Sequence, residues 1–178
     1  MVKSCALGIL KVMVNGIERK FLVKNLPNLS GIIPVLYDKH FIQGGDVIEE
    51  AVQKRGGIFE YEKKVCLSRH ECSIQRSAIN EKEFDRLKTY ALHVLSYESY
   101  TYDSYYETRI IIFKGLHAGL IRADVYFTTQ EEADDYEIEL WMGREVTSSP
   151  LGIDKLLVSL DHEQCAKILH QEIVAGQS

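Results

Sequence analysis

The stretch from Ile17 to Pro27, IERKFLVKNLP, alternates in a way that leaves few folds open to this chain. Read as a strand from Ile17 to Val23, it puts Phe21 and Val23 on the side shared by Ile17 and Arg19. Glu18 and Lys20 fall on the other side, because successive strand side chains point to opposite faces. A sheet built on this strand therefore has a face that carries both signs of charge. The segment FEYEKKV, Phe59 to Val65, repeats the pattern with Glu60, Glu62 and Lys64 at alternate positions. Taken alone, those three charges read as a solvated strand face.

Most of the chain reads as β, with helices inserted late. Asn25 to Gly31 is turn-rich, and Asp38 to Gln43 reads as a second strand. Gly44-Gly45 and Gly56-Gly57 punctuate a hairpin formed by Val47 to Arg55 and Ile58 to Leu67. Asn80 with Glu83 forms a capping-box signal, and Phe84, Leu87, Ala91 and Val94 recur at helical spacing, which predicts a helix from Glu81 to Leu95. The tyrosine-rich run Tyr97 to Tyr106 reads as strand packing. Arg109 to Phe113 reads as a buried strand, and Leu120 to Phe127 as one more. Thr129 with Glu132 caps a short helix, and Ser149-Pro150 marks a turn. Asp161 with Gln164 caps a last amphipathic helix carrying Cys165, Ile168, Leu169 and Ile173. The class is mainly β, of the α+β kind.

At 178 residues, 46% hydrophobic and 26% charged, residues 1–178 fit one compact domain. A formal charge of −5 argues against duplex DNA as a partner, while leaving room for a basic tunnel inside an acidic shell. No run approaches the roughly 20 apolar residues needed to cross a bilayer, so no membrane association is expected. Residues 1–15 read as an arm or an extra strand, because Lys11 interrupts their apolar stretch. Cys5, Cys66, Cys72 and Cys165 include no C-x-x-C pair, which favours a reduced, cytoplasmic setting. Cys66, His70 and Cys72 fit no familiar zinc spacing. No Walker loop, dinucleotide fingerprint or Ser-His-Asp order is visible.

The strand with Glu18 and Lys20 resembles the opening E-x-E-x-K strand of the CYTH, or triphosphate tunnel metalloenzyme, superfamily, with Gly16 in place of its first glutamate. Gly119 to Gly152 is similar to that family's closing region: ADVYF stands for A-E-V-E-F, and Trp141, Gly143, Glu145, Val146 and Thr147 match W-x-G-x-E-V-T. Phe59 to Val65 resembles its central E-x-E-x-K-V strand. The similarity spans about Gly16 to Leu157 and implies a closed antiparallel β-barrel over residues 16–157, with peripheral helices. Residues 158–178 form a C-terminal helical extension.

In such a barrel, inward lysines and arginines hold phosphate oxygens, while inward carboxylates hold a divalent metal that activates water. Carried over residue by residue, the resemblance implies phosphate binding by Lys20, Lys64 and Arg122. It implies metal binding, of Mg²⁺ or Mn²⁺, by Glu18, Glu60, Glu62 and Asp124, with Glu18 and Glu62 the catalytic candidates. Several ligands are replaced, however. Glu49, Ala51, Gln53 and Arg55 stand where an R-x-R pair belongs, and Ser96 and Glu98 where lysine and arginine belong. Arg109 and Ile111 replace two acids, and Tyr126 replaces another. The expectation is a protein without metal-dependent triphosphatase activity that binds a triphosphate or nucleotide, or serves in assembly. Its rivals are a triphosphatase with a reduced site and a structural protein that pairs with itself or a partner through the last helix.

Overall fold

The inward face of several strands, β1, β2 and β7 among them, changes character along its length, from charged to apolar, and this gradient organises the molecule. The computed structural model describes residues 17–44, 48–66 and 72–176. The N-terminal arm expected over residues 1–15, Gly16 and His70 lie outside them. The strands are β1 (Ile17–Val23), β2 (Val35–Gly44), β3 (Ile48–Arg55), β4 (Ile58–Cys66) and β5 (Cys72–Ala78), followed by β6 (His93–Tyr102), β7 (Thr108–Phe113), β8 (Ile121–Phe127) and β9 (Met142–Glu145). The helices are α1 (Glu81–Lys88), α2 (Gln130–Asp134), α3 (Asp154–Leu157) and α4 (His162–Ala175), with a 3₁₀ turn at Gly115–His117. Among the described residues no helix is long and apolar enough to cross a membrane.

All nine strands join one antiparallel sheet in the order β5-β4-β3-β2-β6-β7-β8-β1-β9. Among the described residues its edge strands β5 and β9 do not pair with each other, so the closure expected of a barrel is not seen among them. Twist nevertheless curls the sheet, since side chains from β1 through β8 line one cavity. The closing motif makes the β9 edge. Val146 N donates to Lys20 O at 2.7 Å, Lys20 N donates to Thr147 Oγ1 at 2.9 Å, and Glu145 pairs with Arg19 at 2.6 Å.

On the concave side, Leu22, Phe41 and Phe113 follow the charged positions of their strands and, with Leu95 of β6, meet Leu151, Leu157, Val158 and Cys165 in one buried core. The segment leading into α4, and the first turns of α4 itself, thus fill one end of the curl. On the convex side, Phe21, Val125 and Phe127 form a second core with Ala133 and Met142, packed by Tyr136 and Trp141. Each fully buried Phe, Leu or Val contributes about 1.5–3 kcal/mol by leaving water. Both faces of β1 are therefore covered, in agreement with its two-sided sequence pattern.

The helix expected from Glu81 to Leu95 stops at Lys88. Only Phe84 of α1 is buried, packing on His40 and Phe59, whereas Leu95 belongs to β6 and is fully buried in the concave core. Burial of Leu95 in a strand outweighs the helical spacing of Ala91 and Val94. Asn80 does cap α1, accepting from Glu83 N at 2.9 Å, and α2 and α4 carry the expected capping boxes, Thr129 with Glu132 and Asp161 with Gln164.

Candidate functional site

The charged half of the concave face encloses a cavity of about 670 Å³. Glu18 and Lys20 of β1, Glu62 and Lys64 of β4, and Arg122 and Asp124 of β8 all line it. Residues 18 and 20, 62 and 64, and 122 and 124 each repeat at period two, so each strand delivers both members inward. Sheet register then sets Lys20 beside Asp124, and Asp124 beside Arg109, in one row of alternating sign. Ile111 and Tyr126 also face this cavity, and space remains between the walls. Arg109 stacks over the Tyr126 ring at 5.0 Å, two replaced positions packed against each other.

Each carboxylate among the candidates is already held by a cation. The two oxygens of Glu62 accept from Lys39 Nζ at 2.6 Å and Arg76 Nε at 2.7 Å. Burial alone would raise the Glu62 carboxyl, but the Lys39 ammonium and then the Arg76 guanidinium outweigh it and hold it below the ordinary carboxylate range. Asp124 takes a bidentate contact from Arg122, at 2.6 and 3.0 Å. Glu18 pairs with Lys20 at 3.0 Å, and its carboxyl is likewise held low against the opposing effect of burial. Glu60 is on the inward face but is taken up by Arg55, at 3.0 and 3.1 Å, and by Gln53 at 3.0 Å, outside the cavity lining.

A hard divalent cation needs about six oxygen ligands, several from carboxylates. Among the described residues no three Asp, Glu, His or Cys side chains converge to hold one. The arrangement of Glu18, Glu60, Glu62 and Asp124, each neutralised by its own cation, does not fit Mg²⁺ or Mn²⁺.

The cations differ in how much hydrogen-bonding capacity is spent. Arg122 is 3% exposed, and all its N–H groups have acceptors: both oxygens of Asp124, Asp154 Oδ1 at 3.1 Å from both terminal nitrogens, and Leu151 O at 3.0 Å. Lys20 gives two of its three donors, to Glu18 and to Gly152 O at 2.9 Å. Lys64 has no ion pair within 4.0 Å to a described residue, although its charge is felt by Glu18 and Asp154. Of the three residues expected to bind phosphate, Lys64 is thus the most open and Arg122 the most committed.

The structure corrects one face. Ser96 and Glu98 point away from the cavity, to Asp38 and Lys114 respectively, while Tyr97 and Ser99 line it. A slip of one residue along β6 exchanges the two faces. Burial pushes the Tyr97 hydroxyl well above its ordinary value, so it stays a protonated donor. Sequence reasoning missed Lys39, Arg76 and Asp154. Lys39 lies in a strand the sequence does mark, and its period with Phe41 is the signal that could have found it. Arg76 sits in β5, CSIQRSA, whose polar composition hides it, and Asp154 follows a turn with no periodicity.

No family model matches the chain, and no curated protein does. Among solved structures, that of the hypothetical protein NE1496 superposes with a TM-score of 0.66 at 21% identity, covering 82% of this chain and 99% of that one. A structure of the inorganic triphosphatase NE1496 superposes with a TM-score of 0.63, also at 21% identity, covering 80% and 96%. The chain has a CYTH-like fold: a single curled antiparallel sheet with both signs of charge on its concave face.

Proposed function

We propose that this chain is a divergent member of the CYTH superfamily that binds an oligophosphate or nucleotide polyphosphate in its concave cavity without a metal and without hydrolysing it. The observation that carries the reading is the pairing of every candidate carboxylate with a lysine or arginine, with no three metal-ligating side chains converging among the described residues. Lys64 and Lys20, with donors to spare, make the first contacts with the phosphate chain. A cytoplasmic setting, where such polyanions abound, fits this role.

Calorimetry with tripolyphosphate is expected to give the same affinity with excess EDTA and with millimolar Mg²⁺, and no phosphate should be released with Mg²⁺ or Mn²⁺. Tight binding only with metal would overturn the reading. Lys64→Ala should weaken tripolyphosphate binding about tenfold, the loss of one charge-assisted contact. Its thermal midpoint should move little, because no described ion pair is broken. An unchanged affinity would remove Lys64 from the site.

One observation favours a second reading, a metal-dependent triphosphatase: the similar fold of NE1496, which is named an inorganic triphosphatase. That reading requires Glu18, Glu62 and Asp124 to exchange their cations for metal when substrate enters. It would show as phosphate release that Glu62→Gln abolishes.

A further inference from the structure

We propose that Asp154 is a specificity-determining residue: an internal anion that occupies the place of a ligand oxyanion and gives way only to a polyanion. The inference rests on the binding reading above and concerns how that same site selects its ligand.

The inward acids of the strands are parts of the wall. Glu18 sits two residues from its partner Lys20, Asp124 sits two residues from Arg122, and Glu62 is held from both sides by Lys39 and Arg76. Asp154, like Glu107 and Glu132, comes to the cavity from outside the sheet; it sits on the short helix α3 and is the one of these three bonded to Arg122. Its Oδ1 bridges the two terminal nitrogens of Arg122 at 3.1 Å each, the way a phosphate oxygen would. The backbone around it does the same. Gly152 O takes Lys20 Nζ at 2.9 Å, and Leu151 O takes Arg122 at 3.0 Å.

Four cations from four strands act on this carboxylate, Arg122, Lys20, Lys39 and Lys64, and together they hold it far below the ordinary range despite the opposing effect of burial. The cavity therefore contains, in the free protein, a carboxylate and two carbonyls where a ligand's oxygens would be most stabilised.

Asp154 is also placed to leave. Its side chain keeps 24% of its surface exposed, while Leu151 and Leu157 on either side are fully buried in the concave core. The sheet keeps all its ladder bonds if the loop between those anchors shifts. A monovalent anion gains too little to replace a carboxylate already bound to Arg122. A chain of phosphates reaching Arg122, Lys20 and Lys64 together offers several charges for the one it displaces, so the internal anion selects polyphosphates over orthophosphate.

Asp154→Asn keeps shape and hydrogen bonding but removes the charge. It is expected to bind tripolyphosphate about tenfold more tightly than wild type, the equivalent of one charge-assisted contact no longer opposed. Asp154→Glu should return affinity to near the wild-type value. Equal or weaker binding by Asp154→Asn would overturn the inference while leaving the binding reading in place. Absence of binding by wild type and variant alike would overturn both, and binding by the variant alone would support the inference. If Asp154→Asn does not fold, the wild-type protein still decides. With saturating tripolyphosphate, the amides of Leu157 and Val158, which donate to Ile153 O and Asp154 O, should exchange faster because binding loosens the segment. Slower or unchanged exchange would mean that Asp154 stays where it is.

Discussion

Replacing Glu62 with alanine is expected to lower the stability of the fold by about 3–5 kcal/mol, the cost of leaving a buried charge without its partner. The Lys39 ammonium is held at 2.6 Å by Glu62, and Glu49, at 3.6 Å, is the other described acid within 4.0 Å of it. Lys39 and Glu62 are 6% and 3% exposed, so little water reaches the contact. Urea unfolding measures the loss directly. Pairing Lys39→Met with Glu62→Leu should recover most of it, because the desolvation of both charges disappears with them. A single-variant loss below about 1 kcal/mol would mean that the ion pair is solvated.

The same triad sets a pH dependence. The folded Glu62 carboxyl lies below its ordinary value of 4.5, so its contribution is fully present above pH 4.5 and is lost as pH falls through the lower folded value. Glu18 and Asp154, also held low, act in the same sense. Wild-type stability should therefore fall steeply on acidification below that value, and more gently in Glu62→Ala.

Period two made much of this molecule legible in advance. It identified β1, while glycine pairs marked the β3–β4 hairpin and β7 read as a buried strand, and with the family resemblance period two brought Glu18, Lys20, Glu62, Lys64, Arg122 and Asp124 to one face. Local capping chemistry marked the starts of α1, α2 and α4. What the chain hides is decided by tertiary pairing. Leu95 suits a helix or a strand equally in its local setting, and only its burial against Leu22 and Phe113 selects the strand. Lys39 looks like an ordinary strand lysine until β3 and β4 bring Glu62 to it. Asp154 belongs to no repeating pattern, and its position depends on the packing of Leu151 and Leu157. Closure of the sheet, implied by resemblance, also depends on whether the two edges meet, and among the described residues β5 and β9 do not pair.

Gly152→Ala should be as damaging as a change to a buried charge, for a purely steric reason. A Cβ at this position would lie 1.8 Å from Val146 O and 2.7 Å from Val146 C, and backbone has no rotamer to yield. Relief requires moving the 149–157 segment away from Val146, just past β9, which also pulls Gly152 O off Lys20 and Leu151 O off Arg122. Overpacking costs about 1–3 kcal/mol and occasionally more. Each disturbed hydrogen bond to a charged donor adds about 1.5–3 kcal/mol. A loss of about 4 kcal/mol corresponds to a thermal midpoint lower by about 10 °C in a chain of this size. Gly143→Ala is the matching control, since its Cβ would meet Leu22 O at 3.4 Å, an ordinary contact, and should cost under about 1 kcal/mol. If the two variants melt together, the 149–157 segment does not press on Val146, and the anchoring of Asp154 over the cavity loses its basis.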